Sequence, residues 1–464
     1  MLGLFATLNV GQRALLANQQ AIEVAGHNIS NINNPAYTRQ RVMLQTSAPI
    51  QTADGSVGSG VTVSQVTSVR DQILENEIVS EASTTGSLTA QQDAMQTAQS
   101  ALGEQLDASG SPTAGVSARL SSFFNSWQSL SADPSNLSAR QTVIQNSASL
   151  VNEFRAVDKR LGDLQSNLNT QLSQGVDSAN KLLQDIARLN REIEGAESGS
   201  NGQANDLRDT RQQKLQELGS LVNFDVSTGI SGGVNVSVGG VTLVNETTVS
   251  DRLQVYDPGS GMNRLRAETA GTTLSPTSGK LAGTISVRDG AIADLRASIN
   301  TLASNLITKV NALHTPGFAL DGSSTTPFFT GTTSGDIQVN SALTSDPTRL
   351  QAAGTAGNAG DNQVARSIAS LASETQAALG GITFSQRYSA AVNGIGASLS
   401  GVNQSLADQK SVTTLLNSQR SSLSGVSMDE ELADLTRYQK AYEASARVMS
   451  TVATMLDTVI NLGR

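Results

Sequence analysis

The feature that most constrains the fold of this chain is a seven-residue apolar repeat near each of its ends. The first repeat consists of Leu8, Leu15, Ile22 and Ile29, and the second consists of Met428, Leu435, Tyr442, Met449 and Leu456. A strict heptad repeat keeps one stripe of a helix turned toward a partner helix. Because such a stripe has no core of its own, we predict that the terminal helices pair with each other or with neighbouring copies of the chain.

Between the two repeats, the hydrophobic pattern predicts helices on either side of one β-rich segment. Apolar residues at steps of three and four predict a long helix through residues 150–193. Valines alternate with polar residues around Gly232–Gly233 and Gly239–Gly240, a pattern typical of hairpins, and we extend this β-rich segment over residues 222–286. Helical patterns return after it.

These patterns predict a mainly α fold in three parts. The terminal helices pair as a coiled coil, a helical bundle with some β structure forms a middle layer, and an inserted β-rich domain lies outside. The predicted domains are residues 1–45 with 425–464, residues 46–221 with 287–424, and residues 222–286.

The last helix has a distinct predicted start. Ser427 and Glu430 fit a capping box, and Asp429, Glu430 and Glu431 occupy the first turn, where the helix dipole favours negative charge. We interpret these carboxylates as helix-capping residues.

Charge and composition exclude several classes of protein. The net charge is −9 and no Lys/Arg cluster occurs, so we expect no nucleic-acid partner. No apolar run reaches the ~18 residues needed to span a bilayer, so we expect no membrane segment. Cysteine is absent, which excludes disulfides and thiolate nucleophiles. The N-terminus lacks signal-peptide features, and the default expectation is a cytoplasmic protein unless a signal-independent export route exists.

The sequence predicts no catalytic, cofactor or metal site. Neither His27 nor His314 has a second histidine at ligand spacing. Gly279–Lys280 fails the phosphate-loop pattern on both sides, and no G-x-S-x-G motif occurs. We therefore expect a protein that is not an enzyme.

The stretch from His27 to Gln40 resembles the N-terminal signature of the bacterial flagellar axial proteins, which include rod, hook and hook-associated proteins. The residues that carry the resemblance are Asn28, Asn31, Asn34, Pro35, Tyr37 and Arg39. The family usually has Thr where this chain has Asn34 and Gly where it has Ala36, and alanine disfavours a turn with positive φ. The order Tyr37-x-Arg39-Gln40 favours the hook-associated branch.

Three further segments resemble the same family in the expected order. Phe123–Trp127 with Asp133–Pro134, then Asn311–Gly322, and then Ser424–Arg447 are similar to its central and C-terminal motifs. The combination spans the whole chain and is specific, although any one motif alone is weak.

The resemblance implies a structural component at the junction of flagellar hook and filament, without enzymatic activity or cofactors. It implies self-assembly into a ring or short tube, with the hook protein and a second junction protein as partners. It also implies export to the flagellum without a cleaved signal peptide, after an export chaperone has held the C-terminal helix. The apolar repeats and the signature residues from Asn28 to Arg39 would then form the assembly interface.

We hypothesise that residues 1–45 and 425–464 are disordered or loosely helical in the monomer and fold on assembly. The alternative is that both stripes pack permanently within one monomer. Two other functions stay open, namely another flagellar axial protein (flagellin-like or a second junction protein) and, from a different class, a cytoplasmic coiled-coil signalling protein.

Overall fold

The structure is a computed structural model that describes residues 2–52, 55–107, 112–199, 202–229 and 232–462. Its helices are α1 (Leu2–Ser30), α2 (Gln72–Ala101), α3 (Gly115–Ala132), α4 (Leu137–Glu197), α5 (Asn205–Leu221), α6 (Gly279–Val287), α7 (Ala293–His314), α8 (Ser341–Ser345), α9 (Gln363–Ser370), α10 (Phe384–Ser424) and α11 (Met428–Leu462). A π-helical turn, Arg288–Ile292, joins α6 to α7, and 3-10 turns occur at Pro347–Arg349 and Ala377–Leu379.

The strands form small antiparallel sheets. They are β1 (Gln40–Thr46), β2 (Ile50–Thr52), β3 (Gly55–Val57), β4 (Val61–Ser68), β5 (Gln105–Leu106), β6 (Pro112–Ala114), β7 (Asp225–Thr228), β8 (Val234–Val238), β9 (Val241–Asn245), β10 (Thr248–Val249), β11 (Leu253–Tyr256), β12 (Arg264–Ala267), β13 (Thr273–Leu274), β14 (Phe329–Thr330) and β15 (Gln338–Val339). The order is β10-β9-β8-β7 in one sheet and β11-β12-β13 in the next, and β1 pairs with β4.

The long helix α4 organises two hydrophobic cores. Its 61 residues extend over roughly 90 Å at 1.5 Å per residue. The first half packs with α3, α7 and the start of α10 around Trp127, Phe154 and Phe328. The second half packs with α5 and the sheets β7–β13, where Ile186 meets Val236 and other strand residues. The β-rich part thus shares its core with α4 and α5.

The terminal segments form a separate layer. Helix α1 packs against α11 and against the β1–β4 ribbon, while α2 packs against α10. Helix α10 ends at Ser424 and α11 begins at Met428, so a three-residue link leads from the helical bundle into the terminal pair. The predicted fold class, mainly α with paired terminal helices and an inserted β-rich part, is confirmed.

The β-rich segment is shorter than predicted. Its last strand ends at Leu274, and Gly279–Val287 forms α6 instead of continuing the β structure to residue 286. Glycines lower the helix propensity of this segment, but close packing requires one of them. A Cβ at Gly283 would lie 2.3 Å from the carbonyl oxygen of Ser87 in α2. The predicted boundary was wrong because local propensity carries no information about this long-range contact.

Candidate functional site

In α1, the heptad residues are not the most buried positions. The buried apolar side chains are small, at Ala17, Ala21 and Ala25. The residues of the predicted repeat are only half-buried. They are Leu8, Leu15, Ile22 and Ile29. Gly11 is also buried, and a Cβ there would lie 2.9 Å from Met449 of α11. Small side chains allow the backbones of the two helices to come close.

The C-terminal repeat is covered even less within one chain. Leu435, Met449 and Leu456 are half-buried, whereas Met428 is 41% exposed and Tyr442 is 38% exposed. The buried positions of α11 are instead Glu431 and Val452, three heptads apart. The intrachain seam therefore differs from the predicted one at Met428 and Tyr442. Glu431 is held inside by Asn28 and Arg39, so a polar residue occupies one position of the observed seam.

A band of apolar side chains on the terminal helices stays in contact with solvent. Its members are Phe5, Leu16, Leu432, Val448, Met455, Val459, Ile460 and Leu462. Exposed apolar surface of this kind on a folded chain typically marks a contact surface for another molecule.

The asparagine-rich segment after α1 forms a compact turn. Asn31 N–H bonds back to the carbonyl of His27, Asn34 Oδ1 accepts from Ala36 N at 3.1 Å, and the Asn34 carbonyl accepts from Tyr37 N at 3.1 Å. Ala36 does not have a positive φ. Alanine therefore fits this turn without the strain that a left-handed conformation would impose.

Asn28 is the centre of a buried hydrogen-bond network. Its Nδ2 donates to the Gln40 carbonyl and to Glu431 Oε2, each at 2.9 Å. Its Oδ1 accepts from Gln40 N at 3.0 Å and from the Tyr37 hydroxyl at 2.8 Å. Asn28 is only 1% exposed, and every one of these bonds joins α1 to the segment after the turn or to α11.

Arg39 connects the same segment to the first turns of α11. Its Nη1 lies 2.5 Å from Glu430 Oε2, its Nε 2.6 Å from Glu431 Oε1, and its Nη2 3.7 Å from Asp434 Oδ2. The Nε contact has an angle too poor for a hydrogen bond and acts as an ion pair. Burial lowers the pKa of Arg39, but the hydrogen bond to Glu430 and the charge of Glu431 outweigh it and raise the pKa above its ordinary value.

A second set of bonds connects the turn to the helical bundle. The Thr38 amide donates to Asp209 Oδ2 at 2.7 Å, and Arg70 Nη2 donates to Asp209 Oδ1 at 2.5 Å. Gln40 Nε2 donates to Asp206 Oδ1 at 2.8 Å. Burial raises the pKa of Asp209, with Arg70 opposing that effect.

Tyr37 stands between these acids and Asn28. Burial, then the charges of Asp206 and Asp209, raise the pKa of Tyr37, so its hydroxyl stays a hydrogen-bond donor. The signature segment thereby joins α1, α11 and α5 at one place.

The structure brings together the predicted signature residues from Asn28 to Arg39, and it adds partners that the sequence did not reveal. The interpretation of Glu430 and Glu431 as helix-capping residues is incomplete, because their carboxylates bind Arg39 and Asn28. Asp209 was not singled out, because it lies 171 residues from Thr38 in the sequence. The acidic first turn of α11 could have indicated a partner for Arg39, whereas no local sequence pattern distinguishes Asp209 from other acidic residues.

The arrangement holds segments of the chain in place. Within the described ranges, no cluster of three or more His, Asp or Glu could hold a metal ion. None of the helices in the described part of the chain is both long and apolar enough to cross a bilayer.

Comparisons with known proteins agree with this organisation. The family described as flagellar hook-associated protein FlgK helical domain matches residues 103–329, and the family described as flagellar basal body rod FlgEFG protein C-terminal matches residues 417–462. The second match covers the end of α10 and the whole of α11.

Similar proteins extend over nearly the whole chain. Flagellar hook-associated protein 1 of Escherichia coli (strain K12) is 26% identical over 98% of this chain and 99% of its own length. The protein of the same name from Bacillus subtilis (strain 168) is 26% identical over 99% of each chain. The solved flagellar hook junction protein FlgK from Burkholderia pseudomallei matches with a TM-score of 0.64, at 15% identity, over 75% of this chain and 100% of that one. At that identity the match demonstrates a shared fold.

Proposed function

Because this chain belongs to the flagellar hook-associated protein 1 family, we propose that it forms the junction that connects the hook to the filament of a bacterial flagellum. It is a structural component that assembles through its terminal helices. The observation that carries this function is the alignment with relatives named flagellar hook-associated protein 1 over 98% and 99% of the chain, which includes both terminal helices.

We further propose that the assembly interface contains the two apolar repeats and the signature residues. The exposed apolar band on α1 and α11 supports this, because a subunit alone leaves those side chains in water. The Asn28 and Arg39 networks would then set the angle at which each subunit presents its terminal pair to its neighbours. A ring or short tube of copies would bury the band, with hook protein on one side and the second junction protein on the other.

The domain arrangement in the assembled flagellum is part of the same proposal. Residues 1–45 with 425–464 would line the inner wall, the helical bundle would surround them, and the β-rich part would face outward. The relatives are structural flagellar proteins, and accordingly no enzymatic activity is assigned to this chain.

We also propose a route of export and a chaperone for this chain. The chain would leave the cell unfolded through the flagellar type III apparatus, without a cleaved signal peptide. A cytoplasmic chaperone would hold α11 before export. The exposed apolar residues of α11, such as Leu432 and Val448, support this proposal. A bound chaperone would shield them from water and from other proteins in the cytoplasm before export.

Deletion of the gene tests the junction role. We expect intact hooks without filaments, together with unpolymerised flagellin in the medium, and we expect the wild-type gene on a plasmid to restore filaments. Normal filaments in the deletion strain would overturn the proposal. Loss of the hook as well would overturn it in favour of a hook or rod component.

A further inference from the structure

A cleft of about 670 Å³ lies between α2, α5 and the first strands of the β-rich part. Its volume is in the range of small-molecule binding sites. Three arginines line it, Arg70 after β4 and Arg208 and Arg211 on α5, and Asp225 at the start of β7 is the acid among its described lining residues. Two of these arginines form ion pairs, Arg70 with Asp209 and Arg208 with Glu197, whereas Arg211 forms none within the described residues.

Arg211 is the most informative of the three. It is 8% exposed, and its Nη1 donates to Asn190 Oδ1 at 2.8 Å. It forms no ion pair with any carboxylate in the described part of the chain. Burial, together with the nearby charges of Arg208 and Arg70, lowers the pKa of Arg211 to about 10, and the charge of Glu197 opposes this effect. A buried cation whose direct hydrogen-bond partner is a neutral amide is costly, and such groups cluster where a protein binds a ligand.

The other two arginines form ion pairs. Arg208 donates to both carboxylate oxygens of Glu197, at 2.7 and 2.8 Å. Arg70 donates to Asp209 from Nη2, while its buried Nε has no hydrogen-bond partner. These pairs fix the two guanidinium groups in position on the wall of the cleft, and the carboxylates largely offset their charge.

The rest of the lining supplies neutral hydrogen-bonding groups. Ser80, Ser83 and Ser278 contribute hydroxyls, and Asn76 and Gln212 contribute amides. Ser83 and Ser278 already bond each other, with 2.6 Å between their oxygens. Guanidinium groups match carboxylate or phosphate, and the hydroxyls and amides match a polar molecule that carries hydroxyl groups.

We propose that this cleft binds a small organic oxyanion, a hydroxyl-bearing molecule with a carboxylate or a phosphate, whose charge is neutralised by Arg211. The site is separate from the terminal helices, and the proposal does not depend on the hook–filament role. The anion would occupy the space that Arg211 faces and would lie within reach of Arg70 and Arg208.

Isothermal titration of the full-length protein at constant ionic strength tests the proposal. The probes are inorganic phosphate, glucuronate and, as the uncharged reference, glucose. We expect saturable binding of an anion probe and none of glucose. Phosphate and glucuronate of equal affinity would identify a plain oxyanion site, and tighter glucuronate would show that the hydroxyl contacts contribute. No saturable binding of either anion up to about 10 mM would overturn the proposal.

Two variants and a control locate the site. Arg211→Gln should weaken the anion by about tenfold or more, while Arg155→Gln, on the exposed face of α4, should bind as wild type does. Ser80→Glu covers the case in which Arg211→Gln fails to fold, because Ser80 is exposed and its substitution places a carboxylate on the wall of the cleft. It should abolish anion binding and leave the thermal unfolding temperature unchanged or raised. Wild-type affinity in Ser80→Glu would overturn the proposal.

Discussion

Gly11 of α1 lies directly against Met449 of α11, so that a Cβ at position 11 would be 2.9 Å from both Cγ and Sδ of the thioether. The contact sets the distance between the terminal helices at this level. It also explains why a glycine, which costs about 1 kcal/mol in a helix relative to alanine, occupies the middle of α1.

Substitutions at Gly11 should affect filament assembly according to the size of the new side chain. Gly11→Ala asks only for a small movement of the flexible Met449 side chain and gains helix propensity, so we expect wild-type numbers of filaments per cell. Gly11→Leu overpacks the helix pair at a cost of about 1–3 kcal/mol and should reduce filament number strongly. Electron microscopy of a complemented deletion strain gives the counts.

The matched control for this pair is Gly26→Leu. Gly26 is exposed on the same helix, and a Cβ there meets no atom within 4 Å. It should leave filament number unchanged. Equal effects of Gly11→Leu and Gly26→Leu would show that the close approach to Met449 has no role in assembly.

Arg39→Gln should release the first turn of α11. The side chain of Glu431 is 3% exposed and would keep a buried, uncompensated charge, at a cost of about 3 kcal/mol. The contact to Glu430, which is 61% exposed, adds little. We therefore expect amide hydrogen exchange in the first turns of α11 to become roughly 100-fold faster.

Two further substitutions check the cause. Arg41→Gln removes an exposed arginine two residues away and should leave the exchange unchanged. Adding Glu431→Gln to Arg39→Gln removes the buried charge and should restore much of the protection. If the double variant exchanges as fast as Arg39→Gln alone, the ion pair is not what holds the turn.

His314 should make the helical core sensitive to acid. Its Nδ1 faces the Thr326 carbonyl at 2.8 Å and its Nε2 accepts from Gln351 N at 3.0 Å, so only the neutral ring fits both partners. Burial, with a smaller effect of the charge of Arg140, lowers the pKa of His314 to about 4. An unfolded histidine has a pKa of about 6.5. Between these values the unfolded chain binds more protons, so the free energy of unfolding falls as pH falls, by about 2 kcal/mol from pH 7 to pH 5.

Urea unfolding followed by tryptophan fluorescence measures this effect. Trp127 is the single tryptophan of the chain, and its ring lies 6.3 Å from that of His314. His314→Gln should lose about 2 kcal/mol of the difference in stability between pH 7 and pH 5. The control is His27→Gln, which alters the only other histidine, half-exposed beside Tyr37, and should keep the full difference. An unchanged pH dependence in His314→Gln would assign the acid sensitivity to other groups.

The sequence predicts those structural features that depend on neighbouring residues, and it does not predict contacts between distant parts of the chain. The periodic repeats correctly predicted α1 and α11, and alternating valines predicted β8 and β9, because periodicity follows from helix and strand geometry. The residues that contact the signature segment could not be predicted from the sequence. Glu431 lies 403 residues from Asn28, and the acidic turn that holds it had a sufficient local explanation in the helix dipole. The burial of the Glu431 carboxylate in α11 could not be read from the apolar pattern.

Limited proteolysis of the soluble monomer should show that the terminal segments are loosely helical before assembly and open more readily than the bundle. Within one chain, α11 has only two buried residues, Glu431 and Val452, and its apolar band faces water. A helix that buries so little has a small free energy of local opening. We expect trypsin to cut first at Arg13, Arg437 and Arg447, before any cleavage in the bundle.

Lys159 provides the internal reference for that experiment. Its side chain is 75% exposed, but it belongs to α4, whose neighbouring residues Phe154 and Leu161 are fully buried in the core. If side-chain accessibility alone controlled cleavage, trypsin would cut at Lys159 as fast as at the terminal sites. If cleavage requires local unfolding, trypsin should cut at Lys159 far more slowly. In assembled flagella the terminal sites should become resistant while the cleavage rate at Lys159 stays the same. Full resistance of both ends in the monomer would instead mean that α1 and α11 pack permanently within one chain, and that the Asn28 and Arg39 networks suffice to hold them.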